Sequence, residues 1–145
     1  MLNAQRFPFV EKYDEFGVPN STPYLPLTLT YQNRSLDVLG LLDTGASINV
    51  LPYEIGRELG IIWEQQTLSI PLAGNLAPVE ARGILVSAKV GQFSSVNLVF
   101  AWAESNDVPL LLGRLNFFSE FDVCFYGSQL AFEICPKQIQ VNNHL

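Results

Sequence analysis

From Tyr24 onward the chain is dominated by strand patterns, and the first is the most constraining. Tyr24-Leu25-Pro26-Leu27-Thr28-Leu29-Thr30-Tyr31 alternates in character, Gln32-Asn33-Arg34 is a turn, and Leu36 to Leu42 returns as a second, more apolar run. Alternation with a period of two places successive side chains on opposite faces, so the pair predicts a β-hairpin. Further runs at Thr67 to Leu72, Val79 to Val90, Ser95 to Ala103, and Asp122 to Phe125 with a return over Gln129 to Ile134 carry strand composition. Gly74-Asn75, Gly91 and Gly127-Ser128 punctuate them. The count predicts a small, strongly curved all-β domain.

Two short segments break the pattern. Pro52 to Gly60 places proline at a first helical position and glycine just past the end, which predicts one short helix. Arg114 to Phe121 spaces Leu115, Phe118 and Phe121 for one helix face. Residues 1–22 mix aromatics with charge and end in the breaker cluster Pro19-Asn20-Ser21-Thr22-Pro23, which reads as an N-terminal arm or loop. The domain then spans 23–134 and a tail 135–145. No internal repeat or low-complexity segment is visible.

At 145 residues, 48% of them hydrophobic, the chain is long enough for one sizeable core and short for two. The net charge of −6 argues against nucleic acid or an anionic membrane as the main partner. The first fifteen residues lack the continuous apolar stretch of a signal peptide, and no run approaches the ~18 apolar residues of a membrane-spanning helix. The expected compartment is the cytoplasm, where Cys124 and Cys135 remain reduced. His144 is the single histidine, so neither a histidine-based triad nor a zinc site with His ligands has the residues it needs. Trp63 and Trp102 read as packing residues.

The chemistry concentrates in Val38-Leu39-Gly40-Leu41-Leu42-Asp43-Thr44-Gly45-Ala46-Ser47, a buried-looking strand that runs into a carboxylate, a hydroxyl and a glycine. A carboxylate at such a strand end is costly unless it is hydrogen-bonded. Gly45 lets the backbone turn closely around it, and Thr44 and Ser47 supply hydroxyls. The tripeptide alone is also ordinary turn chemistry, and its surroundings carry the argument.

Leu41 to Ser47, with Val50-Leu51-Pro52 following and Leu110-Leu111-Leu112-Gly113-Arg114 near the other end, resembles the retropepsin-like aspartic peptidases, and most of all their single-domain prokaryotic members. The resemblance runs from about Tyr24 to Phe132. It implies a small closed or curved β-barrel of the acid-protease type with one or two short helices, paired as a C2 homodimer. In that family's terms Asp43 is the catalytic carboxylate, and Thr44, Gly45 and Ser47 support its loop. The hairpin from about Leu68 to Arg82, with its tip at Ala73-Gly74-Asn75, is the flap over an extended peptide. Ala46, Leu72, Gly74 and Leu111 contact substrate. The resemblance implies no metal and no organic cofactor.

The physical logic agrees with the family's chemistry. Activating water against a peptide carbonyl needs one carboxylate as base and one as acid, and a two-fold axis between two copies of Asp43 supplies both. The chain departs from the pattern in three places. Ser47 stands where retroviral members carry an acidic partner for the arginine corresponding to Arg114. The flap is less glycine-rich than retroviral flaps and lacks the tyrosine of pepsin-type ones. The tail 135–145 has no counterpart and is a candidate for the dimer interface. The alternative function is a catalytically inactive dimerisation or peptide-binding module of the same fold. A phosphotransferase with Asp43 as nucleophile lacks both a second nearby Asp for metal and a phosphate loop.

Overall fold

The computed structural model describes residues 3–138. Its strands are β1 (Gln5–Pro8), β2 (Val10–Tyr13), β3 (Pro19–Thr22), β4 (Tyr24–Tyr31), β5 (Arg34–Leu42), β6 (Asn49–Leu51), β7 (Ala81–Lys89), β8 (Val96–Ala103), β9 (Leu111–Leu112), β10 (Phe121–Tyr126) and β11 (Ala131–Pro136). Two short helices, α1 (Tyr53–Glu58) and α2 (Phe117–Glu120), interrupt them.

Six strands close a barrel in the order β4-β5-β9-β6-β8-β7, with β7 returning to β4. The hairpin β4–β5 is in register from Tyr24 opposite Leu41 to Tyr31 opposite Arg34. Leu25, Leu27 and Leu29 point into the core, as a period of two demands. Strand β7 reaches β4 only at Thr28 to Thr30, so Pro26 lies where β4 has a neighbour on one side and its missing N–H is tolerated. Ile84, Val86 and Ala88 of β7 and Leu98, Phe100 and Trp102 of β8 fill the interior from the opposite wall. This closed, all-β architecture with two short helices agrees with the fold expected from the sequence.

Helix α1 packs on the barrel through aromatic rings. Pro52 precedes it in extended conformation, and Gly60, at φ +80°, follows it with its N–H on Arg57 O. Tyr53 stacks on Trp102 at a centroid distance of 5.5 Å, and Trp63 meets Trp102 edge-on at 5.1 Å. The Trp102 indole N–H donates to Tyr53 O. Both tryptophans are buried packing residues, as read from the sequence.

Several expectations need correction. The described part of the N-terminal arm, residues 3–22, is not a loop: β1 pairs antiparallel with β11, Gln5 opposite Ile134, and β2 and β3 form a ribbon of their own. The pairing of β1 joins residues far apart in sequence, and Phe7 stacking on Phe132 at 5.6 Å is part of what stabilises it. The last strand runs through Cys135 and Pro136, beyond the domain end drawn at 134, and Lys137 is tied to Glu120 by a backbone bond and an ion pair. Residues 139–145, with His144 and most of the expected interface tail, lie outside the described residues. Helix α2 is four residues long; Phe117 is its fully buried ring, while Leu115 is exposed. Thr67 to Leu72 forms one isolated bridge, Ser69 to Arg82, instead of a strand. Cys124 and Cys135 are free thiols on β10 and β11. Among the described residues no helix is long and apolar enough to cross a membrane.

Candidate active site

Asp43 is the first residue beyond β5, and the strands around it fix where it stands. β5 lies parallel to β9, Leu41 opposite Leu111 and Leu42 opposite Leu112, and the Asp43 N–H donates to Leu112 O at 3.0 Å. The chain then turns back on its own carboxylate. Gly45 N–H donates to Asp43 Oδ1 at 2.9 Å, and Ala46 N–H donates to Asp43 O at 3.1 Å. A Cβ at position 45 would stand 3.2 Å from Asp43 Oδ1, tighter than an ordinary contact, so glycine suits this turn. Asp43 itself is half-buried.

The segment after β9 holds the rest of the loop. Arg114 N–H donates to Ala46 O and Leu115 N–H to Ser47 O, both at 3.0 Å, and the Arg114 guanidinium donates to Thr44 O at 2.7 Å. Arg114 therefore has a backbone acceptor on the loop that carries Asp43, although no acidic side chain stands at 47. Gly113 lies at the crossing of the two segments. A Cβ there would stand 2.7 Å from Ile48 O and 2.8 Å from Ala46 O, both backbone atoms with no room to yield.

Asn49, at the start of β6, is fully buried and is the one buried polar residue among those described. Its side-chain oxygen accepts from Gly113 N–H at 2.8 Å. Its amide nitrogen donates to Val99 O at 2.9 Å and to Asn116 Oδ1 at 3.2 Å. Sequence reasoning passed over it. The available signal was an Asn between apolar Ile48 and Val50-Leu51, where a buried amide needs partners.

A cavity of about 260 Å³ opens above this loop. Asp43, Gly45, Ala46 and Ser47 form its floor, Ile48, Val50 and Leu111 a wall, and Leu72, Ala73, Gly74 and Leu76 the opposite side. Seven of the eight residues singled out from the sequence therefore line one space; Thr44 does not, and is exposed beside it. Ile48, Val50 and Leu76 were missed. Ile48 and Val50 are two apart along extended chain and so share the face that Asp43 reaches, a regularity hidden in a three-residue strand.

The overhanging segment is less regular than the flap expected from the sequence. Ile70 N–H donates to Ala81 O and Gly83 N–H to Leu68 O, which fixes its base. Between these bonds and the tip, Pro71 and Pro78 supply no N–H, and the tip is a single 3-10 turn over Gly74–Leu76 with Gly74 at φ +61°. Leu72 packs in a small apolar cluster with Ala81, Ala103, Val108 and Leu111, joining the overhang to the floor. The base is further held by Arg82, whose guanidinium lies 4.4 Å from the Trp63 ring centroid and donates to Trp63 O.

Residues 28–115, more than half of the chain, match the family described as aspartyl protease. Among solved structures, a retropepsin-like aspartic protease from Rickettsia conorii aligns over 91% of this chain and 92% of its own, with a TM-score of 0.56 and 16% identity. EIAV protease complexed with the inhibitor HBY-793 aligns over 71% of this chain and 88% of its own, at 22% identity and a TM-score of 0.47. No curated protein matches the sequence. At such identities the likeness to the Rickettsia structure speaks to the fold.

Proposed function

The chain belongs to the aspartyl protease family, and from that premise we propose that it is an aspartic endopeptidase completed by a second copy of itself. The observation that carries the reading is Asp43: a half-buried carboxylate pinned through one oxygen by Gly45 N–H, on the floor of a cavity overhung by residues 72–76. It is the one acidic residue lining that cavity, so the chemistry needs a second carboxylate from elsewhere.

In a C2 pair the axis passes between two Asp43 side chains. Two carboxylates so close retain a single proton between them; the aspartic peptidase dyad is itself the standard illustration of this effect. The ionised member takes a proton from water as the water oxygen attacks the scissile carbonyl carbon, and the protonated member gives its proton to the carbonyl oxygen. Transfer of a proton to the amide nitrogen then breaks the C–N bond and releases two peptides. Thr44 meets its counterpart across the axis in this reading, which its exposure and the Arg114 bond to its carbonyl support, and Ser47 supports the loop. An extended peptide lies between overhang and floor as an added strand, against Gly45, Ala46, Leu72, Gly74 and Leu111. The free thiols of Cys124 and Cys135 fit a cytoplasmic setting.

The test is cleavage of an unstructured protein from mildly acidic to neutral pH by wild type and by Asp43→Asn, with and without a statine-type transition-state mimic. Cleavage by wild type alone, blocked by the mimic, is the expected result. A folded, dimeric wild type that cleaves nothing, or an Asp43→Asn variant of full activity, overturns the reading.

A further inference from the structure

We propose that Asn49 is a positioning residue for Asp43, acting through the single peptide group that joins Leu112 to Gly113; the catalytic consequence rests on the peptidase reading above. The C=O of that group accepts the Asp43 N–H at 3.0 Å, and its N–H donates to Asn49 Oδ1 at 2.8 Å. A peptide group is planar and rigid, so fixing its N–H end fixes the direction in which its C=O faces Asp43. Hydrogen bonds in such a chain also polarise one another.

The far end of the chain is anchored just as fully. Asn49 Nδ2 donates to Val99 O and to Asn116 Oδ1; that same Asn116 oxygen accepts Val99 N–H at 3.0 Å, and Asn116 Nδ2 donates to Asn97 O at 2.9 Å. Two side-chain amides thus clasp β8 to the start of β6 and to the segment beyond β9. An apolar residue would pack beside Val50 and Leu51 but would leave the buried Gly113 N–H without its acceptor, and the buried amide is tolerated because all of its own groups are satisfied. Beyond satisfying that N–H, the amide fixes its direction, and that direction is passed to the backbone of Asp43.

The experiment compares wild type with Asn49→Ser, whose hydroxyl is too short to span the same three partners. Rates are expressed per active site titrated with a statine-type mimic, so that partial unfolding is divided out. The expected result is a kcat roughly 10- to 100-fold lower, as for a small misplacement of a reacting group, with KM nearly unchanged. Amide exchange supplies a readout independent of turnover: the N–H groups of Asp43 and Gly113 should exchange faster, while those of Ile84 and Val86 keep their wild-type protection. Unchanged kcat per site, or exchange that rises uniformly, overturns the proposal. If Asn49→Ser does not fold, Asn116→Ser breaks the clasp from its half-buried end and carries the same expectation at smaller size. If wild type cleaves nothing, the peptidase reading falls and the exchange pattern alone decides whether Asn49 positions Asp43.

Discussion

Arg114 Nη1 donates to Thr44 O at 2.7 Å, so the loop that carries Asp43 is held by an arginine bonded to backbone. The bond does not depend on the side chain at position 47, where Ser47 stands. Arg114→Ala leaves the Thr44 carbonyl without its charged donor and should cost about 1 kcal/mol, the low end for such bonds because the guanidinium is exposed. Ser47→Ala should stay within about 0.5 kcal/mol of wild type. Urea denaturation of the two variants checks the contrast.

Two glycines answer to different constraints. At Gly113 an added Cβ meets backbone oxygens of the loop that carries Asp43, while at Gly56 it falls 2.2 Å from the Trp102 ring. Each alanine variant should lose about 1–3 kcal/mol through overpacking. Only Gly113→Ala should also lower kcat per titrated site, because its strain is released into the Ala46 to Ile48 backbone.

If each subunit contributes one Asp43, activity must respond to its partner. Specific activity should fall on dilution, and excess Asp43→Asn added to wild type should suppress the rate as subunits exchange into mixed pairs. Steady-state rates against total concentration, with and without the variant, check both statements. A rate strictly proportional to wild-type concentration and indifferent to the variant would count against a shared site.

Tyr126 offers an alkaline marker on the terminal sheet. Interaction with the Cys124 side chain foremost, then burial and the nearby Glu133 carboxylate, push its hydroxyl up to about 12 from the ordinary 10.0. The folded state therefore keeps a proton that the unfolded chain releases, and stability present below pH 10.0 is lost as the pH rises towards about 12. Ultraviolet titration should show one late-ionising tyrosine, absent in Tyr126→Phe.

The parts legible in the sequence are those whose cause is local. The β4–β5 hairpin shows its alternation, α1 its proline and glycine, and Asp43 to Ser47 a polar cluster at an apolar strand's end. What escaped was set by partners far along the chain. β1 is four residues of unremarkable alternation until β11 lies beside it. β6 and β9 are too short to display a period, yet they carry Asn49 and the acceptor of the Asp43 N–H. The strand expected at Thr67 to Leu72 has the right composition, but Pro71 within it supplies no N–H for a ladder.

The parallel pairing of β5 with β9 also has a consequence for the order of events during synthesis. Asp43 leaves the ribosome long before Leu112, its backbone acceptor, and Arg114, the donor to its loop, are made. Nascent chains that end before this segment therefore carry the carboxylate without the framework that orients it. On the peptidase reading, such chains, released early or crowded on one message, pose no proteolytic hazard to their neighbours, because the segment that orients Asp43 is made well after it.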